Sequence, residues 1–209
     1  MMLYWITIIF TPYIIGSIPF GMLISRRIAN IDITQRGSGN IGATNVAREV
    51  GLKWGLVTLS LDLFKGFIPV YIFYRYFNSS SGIGILIVSL STLLGHQFSC
   101  FTRFHGGKGI STALGIFFAL SPVSAVIALC IFIIMVYSTD FVSLGSMIAT
   151  CSMPLILLLS RGSESLIFTS LIMAALICFK HKGNINRLLK GEERRWRKRE
   201  SSQKVKKTI

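Results

Sequence analysis

The stretch ISTALGIFFALSPVSAVIALCIFIIMVYS, residues 110–138, decides how this chain crosses a membrane. It is apolar apart from small hydroxyl residues, and its only break is Ser121-Pro122. Read as one element, it is a single long helix. Read as two, it is a short piece at 110–120 followed by 122–138. The short piece covers only about 16 Å of a hydrocarbon core roughly 30 Å thick. The other apolar runs are about 2–25, 54–77, 83–101, 145–160 and 164–179. Charge separates the two readings, because basic loops stay on the cytoplasmic side. Arg26, Arg27, Arg36, Arg48 and Lys53 place the first loop inside. From Lys180 onward there are 12 Lys/Arg against 3 Asp/Glu, a net of +9, so the tail is inside as well. With the amino terminus outside, seven crossings satisfy both ends. Merging 110–138 gives six and puts the basic tail outside. The expected fold is therefore an all-α integral membrane protein, a bundle of about seven transmembrane helices with a cytoplasmic carboxyl terminus.

Composition supports that class. Of 209 residues, 52% are hydrophobic and only 14% charged, and the mean hydropathy is +0.63. Soluble domains carry about 25% charged residues. No basic residue precedes the first span, so it reads as a retained helix and not a cleaved signal. The net charge of +14 is concentrated in the tail. On a membrane protein such a tail reads as an anchor against anionic lipid, at about 1 kcal/mol per basic residue near the surface, and no nucleic acid is expected. Cys100, Cys130, Cys151 and Cys178 form no C-x-x-C pair and read as buried thiols.

With seven crossings, the loops at 26–53, 102–109 and 139–145 and the tail share one face. The outer connections are short: Asn78-Ser79-Ser80-Ser81-Gly82, the Ser121-Pro122 break, and Arg161-Gly162-Ser163. The shared face collects three polar, glycine-dense islands. The first runs from Gly37 to Arg48. Glycines there allow successive N–H groups to form an anion-binding nest. Ser38, Asn40, Thr44 and Asn45 add donors beside Gly39, and Arg48 brings a planar fork suited to phosphate oxygens. The same residues also suit a flexible loop with a topology-setting arginine.

The second island is Gly106-Gly107-Lys108-Gly109, feeding an apolar helix. It fails the nucleotide P-loop pattern twice, with Thr102 at the first Gly position and Gly109 at the Ser/Thr position. A glycine turn at a helix amino terminus is still an anion site, and Lys108 adds a point charge. Lys108 and Arg103 also fit as plain flanking charges. The third island places His181, Asn184 and Arg187 at i, i+3, i+6, on roughly one helical face. Asp62 and Lys65 lie inside a span at i, i+3, where they either neutralise each other or serve function. His96 sits one turn from the end of its span and admits both readings. Ser143 and Ser146 can offer hydroxyls near the same face, or simply bond helix carbonyls.

Taken in order, several stretches resemble the bacterial acyl-phosphate-dependent glycerol-3-phosphate acyltransferase family. They are Gly16 to Gly21, Gly37 to Arg48, Leu61 to Gly66, Leu94-Gly95-His96, Phe104 to Gly109, Ser143 to Ser146, and His181 to Glu193. The resemblance implies a multi-pass enzyme of the bacterial cytoplasmic (inner) membrane with its active site on the cytoplasmic face. It implies transfer of an acyl group from acyl phosphate to the 1-hydroxyl of glycerol 3-phosphate, without cofactor or metal and with no stable protein partner. The products are lysophosphatidic acid and inorganic phosphate, the first acylation of phospholipid biosynthesis. By that resemblance Ser38, Arg48, Lys108, Ser146, His181 and Asn184 fall on catalytic positions. Gly39, Asn40, Thr44, Asn45, Gly106, Gly107, Gly109, Arg187 and Glu193 fall on substrate-binding positions, Glu193 as a required acid. It also implies a more basic segment than Ser138-Thr139-Asp140-Phe141. Residues 1–193 are expected to form the acyltransferase domain, and 194–209 a basic tail dispensable for chemistry.

Two physical points agree with this reading. Both substrates carry phosphate, and the chain offers two glycine islands. Acyltransferases with soluble donors use an H-x-x-x-x-D pair, whereas His96, His105 and His181 are followed at +5 by Phe101, Ile110 and Asn186. No nucleophile–base pair is evident, which favours direct attack by the substrate hydroxyl. An anion transporter would instead show internal repeats and a charged path at the midplane. No repeat is present, and only Asp62 and Lys65 lie deep. A bare scaffold anchored by its basic tail leaves the islands unexplained.

Overall fold

A computed structural model describes residues 2–77 and 82–197. Most of the connection at Asn78–Ser81 and the tail from Lys198 to Ile209 lie outside the described residues. Among the described residues there are helices and turns and no strand. The first apolar run is two helices, α1 (Met2–Ser17) and α2 (Phe20–Ala29). They break at Ile18-Pro19 because proline lacks the N–H a helix interior needs and disfavours helical geometry in the residue before it. Next come the short α3 (Ala43–Glu49) and the long α4 (Leu52–Ile72), which ends in a π turn at Phe73–Phe77. Then follow α5 (Gly82–Gln97), α6 (Ile110–Leu120), α7 (Pro122–Thr139), α8 (Val142–Leu159), α9 (Glu164–Lys180) and α10 (Lys182–Leu189).

Among the described residues five stretches, α1 with α2 counted together, are long and apolar enough to span a membrane, or six if α9 and α10, bent by 61°, count as one. The short helix at 110–120 is present, separated from α7 at Ser121 where the backbone leaves the helical region and Pro122 opens the next helix. Its length has a structural cause. Thr112, near the start of α6, packs against Gly66 of α4, fourteen residues past Leu52. At 1.5 Å per residue that is roughly 21 Å along α4, so α6 starts at depth.

Close helix approach is built on small residues. Gly66 and Gly115 seat α4 and α6 backbone to backbone, and Gly16 and Gly95 do the same for α1 and α5. At these points a Cβ would collide with the facing carbonyl. In lipid, where burial from water drives little, such close packing supplies much of the association energy. The apolar core runs through Val70, Val88, Leu93, Ile116, Leu157, Met173 and Ile177. A second, smaller cluster of Ile33, Ile41 and Val46 fastens the loop after α2 to α3.

The cysteines differ from expectation. All four are free, but Cys130 and Cys151 are exposed on the helix surface and Cys100 and Cys178 only partly covered. A small apolar thiol facing acyl chains carries no penalty, so burial is not required of it.

Candidate active site

The segments that carry the three polar islands meet in one open cavity, with α4, α5, α7 and α8 completing its wall. Its lining includes Ser38, Asn40, Thr44, Asn45, Arg48, Lys108, Gly109, Ser146, His181, Asn184, Arg187 and Glu193. Gly39, Gly106 and Gly107 lie outside that lining.

The 37–48 loop is organised by one side chain. Asn45 is buried; its Oδ1 accepts from the Ser38 N–H at 2.9 Å. Its Nδ2 donates to the carbonyls of Arg36 at 3.0 Å, Asn40 at 2.9 Å and Ile33 at 3.3 Å. Both ends of that amide are engaged with the loop, so Asn45 shapes the cradle it lines. Gly37, at φ +58°, leaves no room for a Cβ beside Asn45. Asn40 caps the Gly42 N–H through its Oδ1 at 2.8 Å. That leaves the Ser38 hydroxyl, the Thr44 side chain and the Arg48 guanidinium for a ligand.

The opposite wall is a connected polar network. Lys108 Nζ donates to Asn184 Oδ1 at 2.5 Å. Asn184 Nδ2 donates to Glu193 Oε1 at 2.7 Å. The same oxygen accepts from Ser143 Oγ at 2.8 Å, and Glu193 Oε2 accepts from Arg187 Nε at 2.9 Å. Burial pushes the Lys108 ammonium down to about 8; the Glu193 carboxylate resists that shift, while Arg187 and Arg48 add to it. For Glu193 itself burial works upward, but hydrogen bonds from Asn184, Ser143 and Arg187 win and hold the carboxyl below its usual range. Glu193 is thus an ionised strut that orients Asn184, Arg187 and Ser143. His181, almost fully buried, donates Nδ1–H to the Ile177 carbonyl at 2.8 Å, which leaves Nε2 as an acceptor.

Several lining residues were not among the expected site set. Ser143 is the clearest, signalled in the sequence by its spacing from Ser146 and by its place in the matching stretch Ser143 to Ser146. Asp62 and His96 form part of the wall. Asp62 and Lys65 are ion-paired at 2.8 Å, as their spacing suggested, and Lys65 also donates to the Ile18 carbonyl at 2.7 Å in the break between α1 and α2. Arg194, assigned to a dispensable tail, also lines the cavity. Arg48 donates to the carbonyls of Arg194 and Arg195, each at 3.4 Å, and stacks 5.9 Å from the Trp196 ring. Asp140 pins the same segment: its backbone carbonyl takes the Trp196 N–H at 2.8 Å and its carboxylate the Arg197 N–H at 2.9 Å. The acid at 140 therefore serves as a clasp for residues 196–197. Arg103 and His105, by contrast, are exposed outside the cavity, with His105 Nδ1 bonded to the Arg103 carbonyl at 2.7 Å.

Beside the polar cavity an apolar groove runs between α6, α7 and α8. It is lined by Ile110, Ala113, Leu114, Phe117, Leu129, Phe132, Ala149 and Met153, and shares Ile110, Phe132 and Ser146 with the cavity. One opening thus joins a cationic chamber to a greasy slot.

The comparisons agree with this architecture. The family profile described as glycerol-3-phosphate acyltransferase matches residues 6–191. The chain belongs to the glycerol-3-phosphate acyltransferase family. A glycerol-3-phosphate acyltransferase of Lawsonia intracellularis is 42% identical over 92% of this chain and 96% of its own length. One from Desulfotalea psychrophila is 44% identical over 90% and 95%. Among solved structures, PlsY (YgiH), an integral membrane glycerol 3-phosphate acyltransferase, superposes in its glycerol 3-phosphate form with a TM-score of 0.87 at 38% identity, covering 92% of this chain and 95% of that one. Its lysophosphatidic acid form gives 0.86. This acyltransferase is a membrane-embedded helical protein, and membership of its family implies a place in phospholipid biosynthesis.

Proposed function

We propose that the chain transfers an acyl group from acyl phosphate to the 1-hydroxyl of sn-glycerol 3-phosphate, releasing lysophosphatidic acid and inorganic phosphate. The observation that carries this reading is the junction at Ser146. There the apolar groove, suited to an acyl chain, opens into a chamber holding Arg48, Lys108 and Arg187. An acyl phosphate lying across that junction has its tail in the groove and its phosphate among the cations.

The acyl phosphate already carries a good leaving group, so the protein's task is alignment and charge stabilisation. The acceptor oxygen attacks the carbonyl carbon. The bond from that carbon to the phosphate oxygen breaks, and phosphate leaves with the electron pair. The hydroxyl proton passes to a phosphate oxygen, either the acceptor's own or the departing one. Lys108 and Arg48 stabilise the phosphate charge, and the Ser146 hydroxyl is placed to hydrogen-bond the carbonyl oxygen at the groove mouth. Ser38 and Thr44 offer hydroxyls to the second phosphate. No acyl-enzyme forms on this route. Seven crossings, with the amino terminus outside and the cavity on the cytoplasmic face of the bacterial inner membrane, follow from the charge distribution and belong to the same proposal.

The test is phosphate release from palmitoyl phosphate by detergent-purified protein, with and without glycerol 3-phosphate. Release that depends on the acceptor and matches lysophosphatidic acid formation supports the reading. Turnover with an acyl thioester but not with palmitoyl phosphate overturns the donor. A trapped acyl-enzyme overturns direct attack.

A further inference from the structure

Two of the four free thiols stand sulfur to sulfur. Cys151 Sγ and Cys178 Sγ are 3.5 Å apart across the packed pair α8 and α9, although 27 residues separate them in the chain. Cys151 lies in the middle of α8 and Cys178 in the last turn of α9. Neither lines the polar cavity or the apolar groove. Cys151 is exposed and Cys178 partly covered, so the pair is reached from the outer helix surface. Among the described residues Cys100 and Cys130 have no sulfur neighbour of this kind. The backbone on both sides is held. The Cys178 carbonyl accepts the His181 N–H at 3.0 Å, and Thr150, beside Cys151, donates its hydroxyl to the Ser146 carbonyl at 2.8 Å.

A thiol–thiol hydrogen bond is weak and leaves lone pairs on both sulfurs. Paired sulfurs suit soft, thiophilic centres, and their separation selects among them. With a metal–sulfur bond of about 2.3 Å, two sulfurs 3.5 Å apart subtend an angle of about 100° at the bridging atom. A linear two-sulfur centre, as univalent copper favours, needs them about 4.6 Å apart. Zinc fits the angle but takes four ligands, and no group of three or more His, Cys, Asp or Glu able to hold a metal occurs among the described residues. Trivalent arsenic satisfies both conditions. It makes three bonds in a pyramid with angles of that size, and its third bond goes to its own carbon or oxygen substituent. A neutral organoarsenical also partitions into the apolar phase that the exposed Cys151 faces. A disulfide would instead draw the sulfurs together and needs an oxidant.

We propose that Cys151 and Cys178 form a two-thiol site that captures one trivalent arsenical and so bridges α8 to α9. With phenylarsine oxide, two S–H bonds and the arsenic–oxygen bond break and two arsenic–sulfur bonds form. The oxygen leaves with both protons as water. Arsenic stays trivalent, and nothing is oxidised or reduced. The bridge joins the helix that bears Ser146 to the helix that leads into His181, yet it lies apart from the cavity and does not depend on which acyl donor is used. Because the fold already holds the sulfurs in contact, the second bond is intramolecular. Capture by the pair therefore exceeds capture by either thiol alone by about 100-fold or more.

The experiment treats the detergent-purified full chain with phenylarsine oxide, then alkylates it with N-ethylmaleimide. Intact mass gives the stoichiometry, and peptide mapping shows which cysteines were protected. One arsenical per chain is expected, with Cys151 and Cys178 protected together and Cys100 and Cys130 left to the maleimide. Cys151→Ser and Cys178→Ser each raise the concentration for half-maximal capture by about 100-fold or more. Dithiothreitol strips the adduct, whereas glutathione at the same thiol concentration leaves it in place. Capture unchanged in either single variant overturns the proposal. So does the absence of an adduct on the folded protein, or protection of Cys100 or Cys130 in place of the pair. If a serine variant does not fold, Cys151→Ala or Cys178→Ala takes its place, and the protection pattern of the wild-type chain decides by itself. No readout involves turnover, so a failure of palmitoyl phosphate as donor leaves this test intact.

Discussion

Lys108 is a cation that burial has brought into the titration range of the assay, with its ammonium pushed down to about 8. A phosphate-binding lysine works only when charged. Activity therefore holds below that value and falls as pH rises through it, so kcat/KM is expected to show an alkaline limb near 8 in the free enzyme. Lys108→Arg keeps the charge and should remove the limb from the accessible range, at some cost in rate because a planar fork replaces a point charge. Lys108→Ala should cost about 100-fold or more. Glu193 opposes the shift. Its carboxylate resists the downward shift of Lys108, so Glu193→Gln should move the alkaline limb to lower pH while also loosening Asn184 and Arg187. A limb that stays in place in Glu193→Gln would show that another group titrates there. The same network accounts for the basic strap after Glu193. One Arg48 nitrogen donates to the backbone of Arg194 and Arg195 while the rest of the guanidinium faces the cavity, so truncation after Arg197, beyond its clasp on Asp140, is expected to cost less activity than truncation after Glu193.

Helices α6 and α8 carry the groove, and their pairing sets its depth. Ile110 and Ser146 stand at its mouth, with Phe117 and Met153 seven residues further along each helix. Seven residues rise about 10 Å, enough for the first part of a long acyl chain before it meets lipid. Ala149 lies one turn below Ser146, so Ala149→Phe should fill the slot there. Activity with palmitoyl phosphate should then fall about 10-fold or more while a short donor such as acetyl phosphate is turned over as before. Equal loss with both donors would mean that the groove is not the acyl seat. Much of this level was legible in the sequence. The apolar runs, the Ser121-Pro122 break and the glycine islands each have local signatures. The break at Ile18-Pro19 was not read, because length and hydropathy made the first run look like one helix. What could not be read was convergence. Asp62 with Lys65 looked like a self-contained pair, and nothing local shows that His96 stands beside them under Gly107. Nor does composition reveal that Asn45 spends its amide on its own loop while Ser38 and Thr44 stay free.

At the scale of the whole molecule, the proposed topology puts the phosphate chemistry below the membrane surface. The start of α6 packs on α4 at the level of Gly66, and in the seven-crossing arrangement the 11 residues of α6 complete the crossing from there. A short helix is thus the consequence of placing a charged turn where an acyl chain can reach it. The cations and the Glu193 strut replace the hydration that a phosphate loses at that depth. The arrangement also makes the orientation testable without any assay of turnover. In a cysteine-free background, a cysteine at Arg103, exposed on the loop before the glycine turn, should react with a membrane-impermeant maleimide only after the inner membrane is permeabilised. A cysteine at Arg161, exposed between α8 and α9, should react in spheroplasts with that membrane intact. These two positions are separated by three crossings if α6 spans and by two if it does not. Labelling of both from the same side would therefore mean that α6 returns to the face it left. The basic tail would then lie opposite the loop at 26–53, against the charge rule from which the seven crossings follow.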